Sequence, residues 1–228
     1  MKKNLFFLTA VIISNVALAQ DLSYSPPDYE LIKSEINDNS SKFYYPQLLD
    51  RLTNFDSTLT NEEYRYLYYG YVFHDNYDPH WTSPDEENLL KYYRSTDLKE
   101  EDYDQIIKLA THSIDLFPFD LRAMNYLGFI YHLKGDEKSA SKMAFRFQST
   151  IGAILSTGNG ETCEAGFHVI SIGHEYVILN MFQFQMKSQS LTGDCDYLAL
   201  EKDQRNVEGI YFNVKQLNDI LLSKFKDD

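Results

Sequence analysis

The chain has 228 residues, 43% of them hydrophobic, a size that suits one domain or two small ones. Its 34 acidic against 21 basic side chains leave a net charge of −13, which argues against sequence-independent nucleic-acid binding and against docking on anionic lipid. An aromatic share of 15% is too rich for a disordered chain, and two cysteines are too few for a disulfide scaffold or a cysteine-rich metal module.

The N-terminus carries the most specific signal. Lys2 and Lys3 precede the apolar run Leu5 to Ile13, and Ala17-Leu18-Ala19 supplies a small-x-small cleavage site. Residues 1–19 therefore read as a secretory signal peptide, with Gln20 first in the mature chain. The run is shorter than the roughly 20 apolar residues that a membrane span requires. No cysteine follows the cleavage site to carry a lipid, and no later segment is apolar enough to cross a bilayer. Cleavage removes two lysines from a chain of charge −13 and leaves −15. The expectation is a soluble exported protein, periplasmic or extracellular, that is not a lipoprotein and has no membrane span once mature.

Beyond Pro26-Pro27, Asp28 can cap a short helix through about Asn37, and Pro46 to Leu52 reads as a second. Thr60 followed by Glu63 is a capping box that opens a helix to about Phe73. A loop from His74 to Pro84 precedes a helix ending near Arg94. Glu101 to Phe117 is a longer amphipathic helix with Ile106, Leu109, Ala110, Ser113 and Ile114 on one stripe. Leu127-Gly128, Tyr131, Gly135 and Ala140 then stand at the offsets of a tetratricopeptide repeat, with Pro118 where a preceding repeat would end. Small residues at Gly128 and Ala140 suit two helices in close approach. The likeness covers about one and a half repeats, which suggests a tetratricopeptide-like layer and not a solenoid, since a stacked array needs about three repeats.

After Ser156 the period becomes two. Phe182, Phe184 and Met186 alternate with Gln183, Gln185 and Lys187, the pattern of a strand with one buried face. Phe167 to Ile172, Tyr197 to Glu201 and Gly209 to Val214 are further strand candidates, His174 to Asn180 is ambiguous between helix and strand, and Lys215 to Phe225 closes the chain as a helix. The expected fold class is α+β: a tetratricopeptide-like helical region over 20–156, then a small antiparallel sheet and a C-terminal helix over 157–228, packed as one unit.

Several segments taken in order resemble a known family. They are Tyr44-Tyr45-Pro46, Glu62-Glu63-Tyr64-Arg65 through Tyr71, Phe167-His168-Val169-Ile170, His174-Glu175-Tyr176, Asp196-Tyr197-Leu198 and Gly209 to Val214. Together they resemble the secreted bacterial family named domain of unknown function 4919, over nearly the whole mature chain. The resemblance implies a signal peptide and a single-family chain, and it brings no activity, cofactor or catalytic residue.

The candidate site residues fall in two groups. His168 and His174 flank Ser171, with Glu175 beside the second; imidazole and carboxylate together can ligate a metal or move protons. No HExxH helix or third ligand accompanies them, so a hydrogen-bonded strand-to-turn junction is the competing reading, with no metal site assigned. On the aromatic helix, Tyr64, Tyr68 and Tyr71 share one face and Tyr66, Tyr69 and Phe73 form another, so that one face can pack the core and the other offer a binding platform. The acidic loop with His74, Asp75, Asp78 and His80 lacks EF-hand spacing. Cys163 and Cys195 are a candidate disulfide in an oxidising compartment.

No G-x-S-x-G elbow, Walker A loop, dinucleotide fingerprint or C-x-x-C is present, and no motif asks for a cofactor. The favoured expectation is a non-catalytic exported module that binds a protein or peptide, of basic or neutral character on net charge. The alternative is an exported hydrolase or ligand-binding enzyme using His168, His174 and Glu175. Convergence of those side chains on one open pocket would favour the enzyme; buried and satisfied side chains would favour the module.

Overall fold

The computed structural model describes residues 24–224, so the signal-peptide reading lies outside the described residues. Helix α1 (Tyr29–Asn37) starts where Asp28 accepts a hydrogen bond from Leu31 N–H, and it buries Ile32 and Ile36. Helix α2 (Tyr45–Thr53) carries Pro46 in its first turn, where no amide donor is missed. The capping box forms as the sequence predicts: Thr60 Oγ1 accepts from Glu63 N–H, and Glu63 Oε2 accepts from Thr60 N–H. It opens α3 (Asn61–Gly70), which tightens into a 3₁₀ turn over Tyr71–Phe73.

Helix α4 (Glu86–Tyr93) is followed by a 3₁₀ turn (Glu100–Asp102) and α5 (Tyr103–Leu116). Then come α6 (Leu121–Leu133) and the long α7 (Glu137–Leu155), capped by Asp120 and Asp136. The short Lys134-Gly135-Asp136 link makes α6 and α7 a helical hairpin. Their approach is close at Gly128, where a β-carbon would lie 3.3 Å from that of Met143. Helix α3 packs on α1, α2 and α7. Its side chains Tyr64, Leu67, Tyr68 and Tyr69 are buried, so an aromatic helix forms the centre of the helical part.

The remainder is a mixed sheet with one helix inserted and one following. Strand β1 (Phe167–His168), α8 (Ile172–Met181), β2 (Met186–Thr192), β3 (Cys195–Leu200), β4 (Gly209–Asn213) and α9 (Lys215–Lys224) follow in order. The spatial order is β1-β4-β3-β2. The antiparallel expectation holds for β2 with β3 and β3 with β4, and must be corrected at the other edge, where β1 runs parallel to β4. Parallel neighbours need a long crossover, and here α8 with the β2–β3 hairpin supplies it.

Two strand expectations also shift. The Phe167 run leaves the ladder early because Ile170 N–H donates to the Tyr68 hydroxyl, and Ser171 turns the chain by capping α8. The alternation from Phe182 is not a strand: Phe182 ends α8, Gln183 takes a left-handed φ of 57°, and β2 begins at Met186 with every residue exposed. The ambiguous His174 segment is helical.

One contiguous apolar core joins the two parts, from Leu48, Tyr68 and Phe119 to Leu198, Ile210 and Phe212. A disulfide ties Cys163, before β1, to Cys195 at the start of β3, which is compatible with an oxidising compartment. Among the described residues no helix is long and apolar enough to cross a membrane.

Candidate functional site

Helix α8 carries two of the sequence-predicted residues side by side, and the structure sends them in opposite directions. His174 is buried at 2% exposure between the helices. Its Nδ1 lies 2.7 Å from the Tyr68 hydroxyl and its Nε2 lies 2.9 Å from the carbonyl oxygen of Phe119. A carbonyl only accepts, so Nε2 carries the proton and Nδ1 accepts from Tyr68. The Tyr68 oxygen in turn accepts from Ile170 N–H at 3.2 Å. Every donor in this relay meets an acceptor with the imidazole neutral. Burial pushes the His174 pKa down to about 4, partly opposed by the Phe119 bond, so the neutral form prevails at pH 7.

Glu175 turns toward the sheet. It is fully buried, and Gln189 Nε2 donates both to its Oε2 at 3.3 Å and to Asp196 Oδ2 at 2.8 Å. The Tyr176 hydroxyl donates to Gln189 Oε1, which fixes the amide orientation. Burial first, and then the neighbouring Asp196 carboxyl, raise Glu175 well above the usual carboxylate range. Glu175 therefore keeps its proton at pH 7. Glu175 Oε1 is occluded and has no partner.

His168 belongs to neither group. Its amide donates to Thr157 Oγ1, its carbonyl accepts from the Tyr69 hydroxyl at 3.1 Å, and burial with the Arg65 charge lowers its ring to about 4. The three predicted residues therefore do not converge. His174 does line a groove of about 290 Å³ with Trp81, Phe117 and Ser171, but both ring nitrogens are already engaged. Among the described residues no three His, Cys, Asp or Glu side chains are grouped to hold a metal ion.

The second predicted face is packed. Tyr66 stacks on Phe43 with ring centres 3.6 Å apart, Tyr69 is fully buried against Tyr29 of α1, and Phe73 packs against the same Tyr29.

The open concave surface lies elsewhere, at a place the sequence reading did not single out. A cleft of about 310 Å³ runs between the turn after α2 and the helices α5 to α7, lined by Ile114, Leu127, Tyr131 and Met143 among others. A second cleft of about 350 Å³ extends it toward Leu59, Tyr64 and Phe145, and both are lined by Phe55, Lys142 and Arg146. Phe55 is a bulky residue at φ 56°, in the left-handed region, 38% exposed as a residue, with the Lys142 ammonium 4.9 Å from its ring centre. Strain of this kind persists where the surroundings enforce it and clusters at ligand contacts.

Arg146 forms the floor. It is 5% exposed, Nη2 donates to the Pro118 carbonyl at 2.7 Å, and Nε is occluded without a partner. Among the described residues it makes no ion pair, and burial lowers it only to about 10, so it stays cationic. One signal in the sequence could have exposed it: Arg146 interrupts the buried stripe of Met143, Phe147, Thr150 and Ile154 on α7.

The sequence matches the model of one family, described as Domain of unknown function (DUF4919), over residues 30–223. The chain belongs to this family. No curated protein and no solved structure matches it.

Proposed function

We propose that this member of the family is a non-catalytic exported module that holds a protein or peptide in the cleft between the turn after α2 and the helices α5 to α7. The observation that carries the reading is the strained, exposed Phe55 ring standing over a mostly apolar cleft whose floor is an unpaired arginine. The α5–α6–α7 arrangement with its close contact at Gly128 supports a tetratricopeptide-like layer, and helical layers of that sort present grooves to partners. The signal peptide in the sequence and the disulfide support export by the secretory pathway and a soluble mature protein. The hydrolase alternative gains nothing from the geometry, because His168, His174 and Glu175 diverge and the two nitrogens of His174 are occupied.

Site-specific photocrosslinking in the exporting cell tests the reading. A crosslinker at Thr111, on the cleft rim, should give a discrete adduct that one at the exposed Lys202 does not. Equal adducts from both positions, or adducts from Lys202 alone, would contradict it.

A further inference from the structure

Arg146 poses a problem that the fold does not solve internally. A buried carboxyl can shed its charge by taking a proton, as Glu175 does beside Asp196, but a guanidinium remains charged at any physiological pH. Burying an uncompensated cation is strongly unfavourable, and proteins normally supply a carboxylate for it. Here the protein contributes one carbonyl, from Pro118, and no carboxylate within ion-pair distance among the described residues. Asp115, exposed on the rim of the first cleft, offsets part of the Arg146 charge through space without forming an ion pair, and Asp56, which lines the second, is already bound to Arg51.

The surroundings of the guanidinium define what would complete it. Lys142 adds a second positive charge on the wall that both clefts share. Ile114, Leu127 and Met143 offer an apolar seat beside it, and the adjoining cleft continues past Tyr64 and Phe145. A single anionic group attached to an apolar side chain, with further chain leading away, matches this layout.

We propose that the Arg146–Lys142 floor is a carboxylate site that takes the free C-terminus of a peptide ending in an aliphatic residue. This rests on the cleft being the binding surface and names what the cleft reads. The planar guanidinium suits a carboxylate, which it can engage through two parallel N–H donors. The net charge of −13 does not oppose a lone carboxylate, because exposed charges beyond about 8 Å are screened at physiological salt. The charge of the whole chain thus bears on long acidic partners, and the local pair of cations on the group that docks.

The test uses the mature protein and three probes: N-acetyl-Ala-Ala-Leu as the free acid, the same peptide as its C-terminal amide, and 4-methylpentanoate. Calorimetric titration and ligand-induced shifts in Tm are read for each. The acid should bind and raise Tm, while the amide, lacking the charge-assisted bonds, should bind about 10- to 100-fold more weakly. 4-Methylpentanoate should bind no better than the amide.

Arg146→Met, which keeps length and removes both the charge and the donor to Pro118, should abolish the preference for acid over amide, with a cooperative ligand-free melt showing that the variant is folded. Equal binding of acid and amide, or no binding of the acid at millimolar concentration, would overturn the proposal on the parent protein alone. So would tight binding of 4-methylpentanoate, which would make this a site for small organic acids. A preference that survives Arg146→Met would overturn it as well. Because the Thr111 crosslink does not depend on a carboxylate, crosslinking without acid preference would remove this assignment and leave the cleft reading standing. Loss of both would remove the two together.

Discussion

The proton count around His174 gives a direct pH dependence. Its ring is held neutral in the folded state, with a pKa of about 4 against the ordinary 6.5. Between those values the unfolded chain binds more protons than the folded one. The His174 contribution to stability is therefore complete above about pH 6.5 and falls as pH drops toward 4, by about 3 kcal/mol on the linkage relation. His168 adds to the same window. Glu175 acts with the opposite sign: its raised pKa means the folded state keeps the proton longer, so its contribution is lost as pH rises from about 4.5 toward 9. Urea unfolding across this range should show His174→Gln flattening the acid limb and Glu175→Gln flattening the alkaline one. Unchanged slopes would contradict the buried, proton-specific environments.

Phe55 carries the other prediction at this scale. A left-handed conformation costs an L-residue about 1–2 kcal/mol, so Phe55→Gly should keep or raise the urea midpoint while weakening capture by the cleft. A large loss of stability would show that the ring is held for packing alone. His174 and Glu175 stood out in the sequence as residue types, but their roles did not. Those roles are set by Tyr68, Phe119 and Asp196, which are 106, 55 and 21 positions away. Nor does any local pattern reveal the backbone angle of Phe55.

At the scale of elements, legibility follows how local the determining interactions are. The α3 start was readable because both halves of the capping box lie within four residues, and Glu63 also pairs with Arg51. Thr60→Ala should cost about 0.5–2 kcal/mol, measured as a lower unfolding midpoint with an unchanged m-value. The helical hairpin was readable for the same reason, through Gly128 and the tight Lys134-Gly135-Asp136 turn. The sheet was less so. Alternating Phe182, Phe184 and Met186 imitate a half-buried strand, but Phe182 and Phe184 flank a helix end and a left-handed turn, and only Met186 enters a strand, with Arg205 3.9 Å from the Phe184 ring centre. The parallel β1–β4 pair joins residues 45 positions apart, through a crossover that short-range periodicity cannot register.

For the whole molecule, the disulfide and the shared core hold the sheet to the helices. Linking Cys163 to Cys195 closes a loop with a sequence separation of 32, worth about 3–4 kcal/mol by the chain-entropy relation. Cys163→Ser with Cys195→Ser should lower the unfolding midpoint accordingly, and reducing agent should affect the parent but not the double variant.

The central claim is a division of labour, in which the histidine and carboxyl residues of α8 hold the fold and the Arg146 cleft engages the partner. Measuring the urea midpoint and the crosslinked fraction per folded molecule for His174→Ala and Thr111→Trp tests it most directly, with the crosslinker at Thr53 beside the cleft. Leaving Tyr68 and Phe119 unpaired should cost His174→Ala about 1–3 kcal/mol with capture intact. Thr111→Trp should keep the midpoint and lose capture by filling the cleft. A His174→Ala protein as stable as its parent that no longer captures anything would contradict the account.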